Sequence, residues 1–217
     1  MLCEGIKQEL IKMSGIEEEH KYCVIPNMVP YTKTENIVKK NMVLWVGNFD
    51  LNVKRPDLAL EIWTKIYKNH KDWDLYLLGD GPAYEEMKKY SEILSLKNIH
   101  FEGRVNPDPY YQEAKMIFVT STHESFSLVT VEAMSHKCVP IVFNSFPAAS
   151  KIIANKQSGL LISPFSKDEF SEQVSLLMSD SRTLSALSEG AQIAATNYTP
   201  EKIYILWEYL LQNLTCE

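Results

Sequence analysis

Cysteine is scarce, and the four present (Cys3, Cys23, Cys138 and Cys216) form no CxxC pair. No run of histidines accompanies them, so neither a zinc site nor a disulfide frame is expected; they read as reduced thiols of a cytoplasmic protein. Long apolar runs are missing too. The longest, such as Met42 to Val46, are strand-sized, far short of the ~20 residues of a membrane span. The start, Met-Leu-Cys-Glu-Gly, carries charge and lacks the apolar core of a signal peptide. Basic excess is also absent. The formal net charge is -6, which gives no electrostatic footprint for nucleic acid or an anionic membrane. A single anion could still be held by scattered lysines and arginines. No short-period repeat and no low-complexity linker interrupts the chain.

What remains is ordinary globular material: 217 residues, 45% apolar and 23% charged. That suffices for one full α/β domain with a short extension, and is little for two. Short apolar runs alternate with amphipathic stretches. The runs are Tyr22 to Ile25, Met42 to Val46, Leu75 to Leu78, Ile99 to Phe101, Met116 to Val119, Val139 to Phe143 and Leu160 to Ile162. Most are continuously apolar, as strands covered on both faces must be. Between them, Ala59, Ile62, Trp63 and Ile66 recur at helical spacing behind Pro56, and Pro82 opens a second helix to about Leu96. Further helices are expected over 4–13, 128–137, 148–154, 167–178 and 181–196. Strand and helix repeated this often imply a doubly wound, mostly parallel, Rossmann-like sheet. Residues 1 to about 35 read as the tail of an earlier unit, and 36–199 as the Rossmann-like domain. Pro200 starts a terminal helix, within 200–217, that is apolar on nearly every side. Such a helix needs two surfaces to bury it.

A doubly wound sheet binds ligands at its carboxyl ends, where four loops stand out. The first, Gly47-Asn48-Phe49-Asp50-Leu51-Asn52-Val53-Lys54-Arg55, follows a strand and precedes a helix. Lys54 and Arg55 could hold a phosphate there with the helix dipole; a solvated basic pair explains them equally well. The second, Leu78-Gly79-Asp80-Gly81-Pro82, allows close backbone approach, though a plain turn would look the same. It is no Gly-x-Gly-x-x-Gly fingerprint, which weakens any dehydrogenase reading. The third, Phe101-Glu102-Gly103-Arg104-Val105, could wall a base pocket or merely end a strand. The fourth runs from Ser121 to Met134 and places Glu124 in a loop and Glu132 in the second turn of a helix. The N–H groups near Ser127 and Leu128, between the two carboxylates, form an anion seat. Carboxylates accept well from sugar and ribose hydroxyls; a capped helix with two surface glutamates is the plainer explanation.

Taken in order, these loops resemble glycosyltransferase family 4, retaining enzymes of the GT-B fold. The resemblance runs from about Val24 to the C-terminus. It is carried by Ile25-Pro26-Asn27, Val46-Gly47 followed by Lys54, Leu78-Gly79-Asp80-Gly81-Pro82, Phe101-Glu102-Gly103-Arg104-Val105, the Glu-x7-Glu segment ending Glu132-Ala133-Met134, Val139-Pro140-Ile141-Val142, and Gly159-Leu160-Leu161-Ile162. It implies the C-terminal, donor-binding half of such an enzyme, taking a UDP-, GDP- or ADP-sugar. By the resemblance Lys54 meets the donor diphosphate, Glu132 the ribose, and Glu124 is the catalytic-site glutamate near the transferred sugar. Ser125, Phe126, Ser127 and Leu128 follow Glu124 around the sugar and distal phosphate. Gly47, Asn48, Arg55, Gly81 and Arg104 complete the expected donor-binding set. Catalysis would be electrostatic, by cations and N–H dipoles on the departing nucleoside diphosphate, with no metal or other cofactor expected.

Four positions depart from the family's usual pattern. Asn48 stands for arginine, Ser125-Phe126-Ser127 for Gly-Phe-Gly, and Cys138 for glycine. The acceptor-binding N-terminal domain is also missing apart from its last helix and strand. The glycan or lipid-linked acceptor would come through that domain, and the helix after Pro200 would pack on it or drive self-association. Transfer by a complete enzyme and donor binding without turnover by a truncated module are both open at this point. A peripheral contact with the inner membrane face would also belong to the missing half.

Overall fold

The computed structural model of the chain describes residues 1–15, 21–30 and 38–214. Cys216 and parts of the spans 1–35 and 200–217 lie outside the described residues. The elements follow in the order α1 (Glu4–Ser14), β1 (Lys40–Val46), α2 (Pro56–Ile66), β2 (Asp74–Leu78), α3 (Tyr84–Ile93), β3 (Ile99–Gly103), α4 (Asp108–Glu113), β4 (Ala114–Val119), α5 (Leu128–Ser135), β5 (Val139–Phe143), α6 (Ala149–Ile152), β6 (Leu160–Ile162), α7 (Lys167–Ser179), α8 (Ser181–Ala195) and α9 (Pro200–Leu214). The six strands form one sheet in the order β3-β2-β1-β4-β5-β6, and every neighbouring pair is parallel. This is the doubly wound, Rossmann-like α/β fold that the alternating runs predict.

The runs are apolar throughout because both faces are covered. In β1, Val43 and Trp45 enter one core with Leu60, Ile62 and Trp63 of α2, Met87 of α3 and Phe170 of α7. Met42 and Leu44 enter the other with Val131 and Met134 of α5, and Ile152 of α6. Full burial of a side chain such as Ile62 is worth roughly 1.5–3 kcal/mol, and Val43, Leu44, Ile62 and Trp63 are all closed to solvent. Helix α2 starts on Pro56, where a missing N–H costs nothing.

The structure corrects the reading in two places. Tyr22 to Ile25 forms no strand. The Cys23 carbonyl accepts from the Met1 ammonium at 2.7 Å, and the Ile25 N–H donates to the Met1 carbonyl. The run is thus tied to the segment ahead of α1, with no sheet neighbour to complete a ladder. The short helix α4 has no counterpart among the expected helices: its six residues are too few to show a periodic stripe.

Candidate functional site

The strand order reverses between β1 and β4, so the loops leaving those strands splay to opposite sides and open a crevice. Lys54 leaves β1 and Glu124 leaves β4, and both come to this point. The Lys54 ammonium lies 2.5 Å from Glu124 Oε1, and the Ser121 hydroxyl donates to the same oxygen at 2.8 Å. Glu124 Oε2 has no protein partner among the described residues.

Hydrogen bonds lock the two loops to each other. The buried Thr120 hydroxyl accepts from Trp45 Nε1 at 3.0 Å. Its proton is shared between the carbonyls of Lys54 and Arg55, at 2.9 and 2.8 Å. Two residues on, the Thr122 N–H donates to the Val53 carbonyl at 2.8 Å, and its hydroxyl donates to that of Asn52 at 2.7 Å. Ser145 holds the Ser121 carbonyl from the β5 side at 2.6 Å. Lys54 and Glu124 are therefore placed by a rigid frame.

Beyond Glu124 the chain turns into α5. Ser125 is exposed; Phe126 is buried edge-on against Tyr198, ring centroids 5.3 Å apart. Ser127 takes the left-handed conformation at φ 71 and offers no side-chain cap. Its hydroxyl is turned to that of Thr130 at 2.8 Å. The Thr130 N–H donates to the Ser127 carbonyl, which leaves those of Leu128 and Val129 without a protein partner among the described residues at the helix start, where an anion is favoured.

Glu132 sits in the second turn of α5. Tyr111 of α4 donates its phenol to Glu132 Oε2 at 3.1 Å; Glu132 Oε1 is unpartnered among the described residues. Burial, followed by the Glu132 charge, pushes the Tyr111 pKa far above the usual tyrosine range. The phenol is therefore a fixed donor at any physiological pH. Both residues line a cavity of about 310 Å³ together with Asn106, Asp108 and His136. His136 stacks on the Tyr111 ring with centroids 5.8 Å apart. Its Nε2 lies 3.2 Å from an Asp108 oxygen without hydrogen-bond geometry, so the distance alone is not a bond.

The remaining predicted residues divide. Gly47 and Gly81 shape the crevice wall: a Cβ on Gly81 would lie 2.0 Å from Asn48 Oδ1 and 2.7 Å from the Phe49 nitrogen, at φ +152. Arg104 is exposed at the end of β3, without a partner among the described residues. Arg55 is drawn elsewhere. Its guanidinium is bound to Asp57 at 2.7–3.1 Å, and that hydrogen bond raises its pKa further. No group of three or more His, Cys, Asp or Glu side chains is placed to hold a metal ion among the described residues. The Asp72-Trp73-Asp74 spacing lies at the amino end of β2, with Asp72 on Asn41 and Asp74 on His100.

The family profile described as "Glycosyl transferases group 1" matches residues 31–193, three quarters of the chain. The chain belongs to the glycosyl transferases group 1 family. An uncharacterized glycosyltransferase of Haemophilus influenzae is 26% identical over 189 residues, 86% of this chain and 53% of its own length. The amylovoran biosynthesis glycosyltransferase AmsD of Erwinia amylovora is 27% identical, over 80% of this chain and 48% of its own length. The chain thus spans about half the length of these curated relatives. The crystal structure of a point mutant of S. aureus TarM, in complex with fondaparinux, alpha-GlcNAc-glycerol and UDP, superposes with a TM-score of 0.88 at 20% identity. The match covers 96% of this chain and 42% of that one, a likeness of fold.

Within this family the departures acquire physical meaning. Ser127, where the pattern has glycine, occupies the positive-φ position that glycine adopts without strain. Cys138 is fully buried and its thiol pKa is pushed up to about 12 by that burial, so it is inert packing. Tyr111, Thr120, Ser121 and His136 were not singled out by the sequence. Tyr111, Thr120 and His136 act through contacts across the fold, and only the Ser121–Glu124 spacing of three offered a local hint.

Proposed function

We propose that this chain is the donor-binding, C-terminal half of a retaining glycosyltransferase of family 4. It binds a UDP-, GDP- or ADP-sugar for transfer to a glycan or lipid-linked acceptor, with residues 36–199 as the donor domain. Residues 1–35 and 200–217 belong with the acceptor half. The carrying observation is the meeting of Lys54 and Glu124 where the sheet order reverses, with one Glu124 oxygen left unbonded. The UDP named with TarM supports a nucleotide donor, and the biosynthetic name of AmsD supports a glycan product.

In this reading the donor diphosphate draws Lys54 off Glu124 and settles between that ammonium and the open N–H groups of α5. Both stabilise the negative charge that grows on the departing nucleoside diphosphate. Glu124 Oε2 accepts from a hydroxyl of the transferred sugar, and Glu132 Oε1 from the ribose. Arg104 is the cation left to approach the base or its phosphates. The free thiols of Cys3, Cys23 and Cys138 agree with a cytoplasmic setting.

A second reading rests on length: a chain half as long as its relatives would bind donor without turnover. Calorimetric titration with UDP, GDP and ADP and their sugars tests both. Lys54→Ala and Glu132→Ala should each weaken the preferred nucleotide about tenfold, or ~1.4 kcal/mol. The Lys54 effect should shrink at high salt. Unchanged affinity in both variants overturns the site. Intact binding without transfer, restored by no acceptor, selects the second reading.

A further inference from the structure

At the opposite end of the sheet from the crevice, the amino ends of β1, β4 and β5 converge on α8. Lys39 precedes β1, Lys115 is the second residue of β4, and Lys137 lies two residues before β5. Together with Ser181, Ser185 and Ser188 of α8 they line a cavity of about 200 Å³. All three lysines are half-buried, and Lys39 is the one without a side-chain partner among the described residues. Its ammonium donates to the carbonyls of Tyr111 and Ala114 at 2.8 and 2.7 Å, and no carboxylate pairs with it among the described residues. Burial lowers its pKa first of all; the Cys138 sulfur acts the other way, and the Lys137 ammonium adds to the lowering. Lys115 is held by an amide, Asn41 Oδ1, at 2.5 Å, and lies over the Trp73 ring. Only Lys137 meets a carboxylate, that of Glu189 at 2.5 Å on the exposed rim. Asp180 already caps the start of α8 through the N–H groups of Arg182 and Thr183, so side chains, rather than the helix end, face the cavity.

Of the three lysines lining the cavity only Lys137 has its charge met by a carboxylate among the described residues, so the lining keeps positive charge that an anion would offset. Lys39 is held by two backbone carbonyls rather than by a carboxylate, and a half-buried cation gains from an anion beside it. We propose that this cavity is a binding site for a small phosphate dianion, either free phosphate or the monoester of a short polyol. Lys39 and Lys115 supply charge from the floor, and the Ser181 and Ser185 hydroxyls donate from the wall. The volume is below that of pockets holding drug-sized ligands, which excludes a nucleotide. The site shares no lining residue with the donor crevice, so it stands or falls separately from the proposed function.

The test is thermal unfolding and calorimetry with sodium phosphate and with glycerol 3-phosphate, against sodium chloride at matched ionic strength. Phosphate should raise the melting temperature in a saturable way, equally in the natural chain and in Lys54→Ala. Ser185→Glu, at an exposed helix position, sets a carboxylate against the lysines and should weaken binding at least tenfold. Glu189→Gln frees Lys137 and should tighten it severalfold. Tighter binding of glycerol 3-phosphate identifies a monoester site, and tighter binding of phosphate a free-anion site. A shift matched by chloride, abolished by Lys54→Ala, or unchanged in Ser185→Glu overturns the proposal. Lys39→Met strips two carbonyls of their donor and could unfold the chain, so Ser185→Glu carries the decision.

Discussion

Tyr111 is buried, yet its phenol reaches a carboxylate at the functional cavity. Its pKa is raised by burial first and then by Glu132. A group whose folded pKa is raised holds its proton after the unfolded chain has released it. Its stabilisation is full below the unfolded tyrosine value, ~10, and is lost as pH rises through the folded value. Tyr111→Phe should cost about 1–2 kcal/mol near pH 7 by removing a hydrogen bond to a charged group. It should also flatten the fall of the urea midpoint above about pH 10. Tyr76, Tyr90, Tyr110 and Tyr198 are shifted the same way, so some slope persists. Nucleotide affinity should drop severalfold as Glu132 loses its orientation. A full-strength alkaline slope in Tyr111→Phe would show that the phenol is not what sustains it. Lys54 and Glu124 were each readable as candidates because each lies in a loop after a strand and carries a family motif, but their ion pair was not. Tyr111 was not, since its hydrogen bond links two helices and leaves no spacing to read.

The crevice depends on turns between elements more than on the helices themselves. Gly79, at φ +133, brings its Cα so close to the β1 loop that a Cβ would stand 1.8 Å from the Gly47 carbonyl oxygen. That oxygen is backbone and cannot rotate away, so Gly79→Ala should destabilise by at least about 2 kcal/mol. Thr120 does the same work across the β1 and β4 loops. Thr120→Val keeps the shape but orphans Trp45 Nε1 and removes the donor to two carbonyls. The expected cost is roughly 2–3 kcal/mol, with a parallel loss of nucleotide affinity because Lys54 is no longer held. Chemical denaturation beside calorimetry checks this; full stability with lost binding, or the reverse, would separate the two roles. Six of the seven apolar runs became strands because sheet burial on both faces forces continuous apolarity. Tyr22 to Ile25 shares that composition and failed, since composition says nothing about whether a neighbouring strand exists. Loop-to-loop bonds such as those of Thr120 are likewise silent in sequence: any Thr can be buried or exposed until the topology is known.

On the scale of the whole molecule, most of α9 is left uncovered by the described residues. Ile203 is buried, but Tyr204, Ile205, Trp207 and Tyr209 are exposed, Ile205 at 63% and Tyr209 at 69%. Among the described residues no helix is long and apolar enough to cross a membrane. Apolar area contributes about 25 cal/mol per Å² when removed from water, and a contiguous patch of this kind drives association. The net charge of -6 opposes it only through screened, long-range repulsion. The chain as it stands should therefore self-associate through α9, increasingly at high salt. Sedimentation velocity over a hundredfold range of concentration reads this directly. Ile205 and Tyr209 lie four residues apart on one helix face, so Ile205→Lys with Tyr209→Lys should return a monomer while leaving the melting temperature nearly unchanged. A natural chain that stays monomeric at every concentration and salt would mean that α9 tolerates water and needs no partner surface.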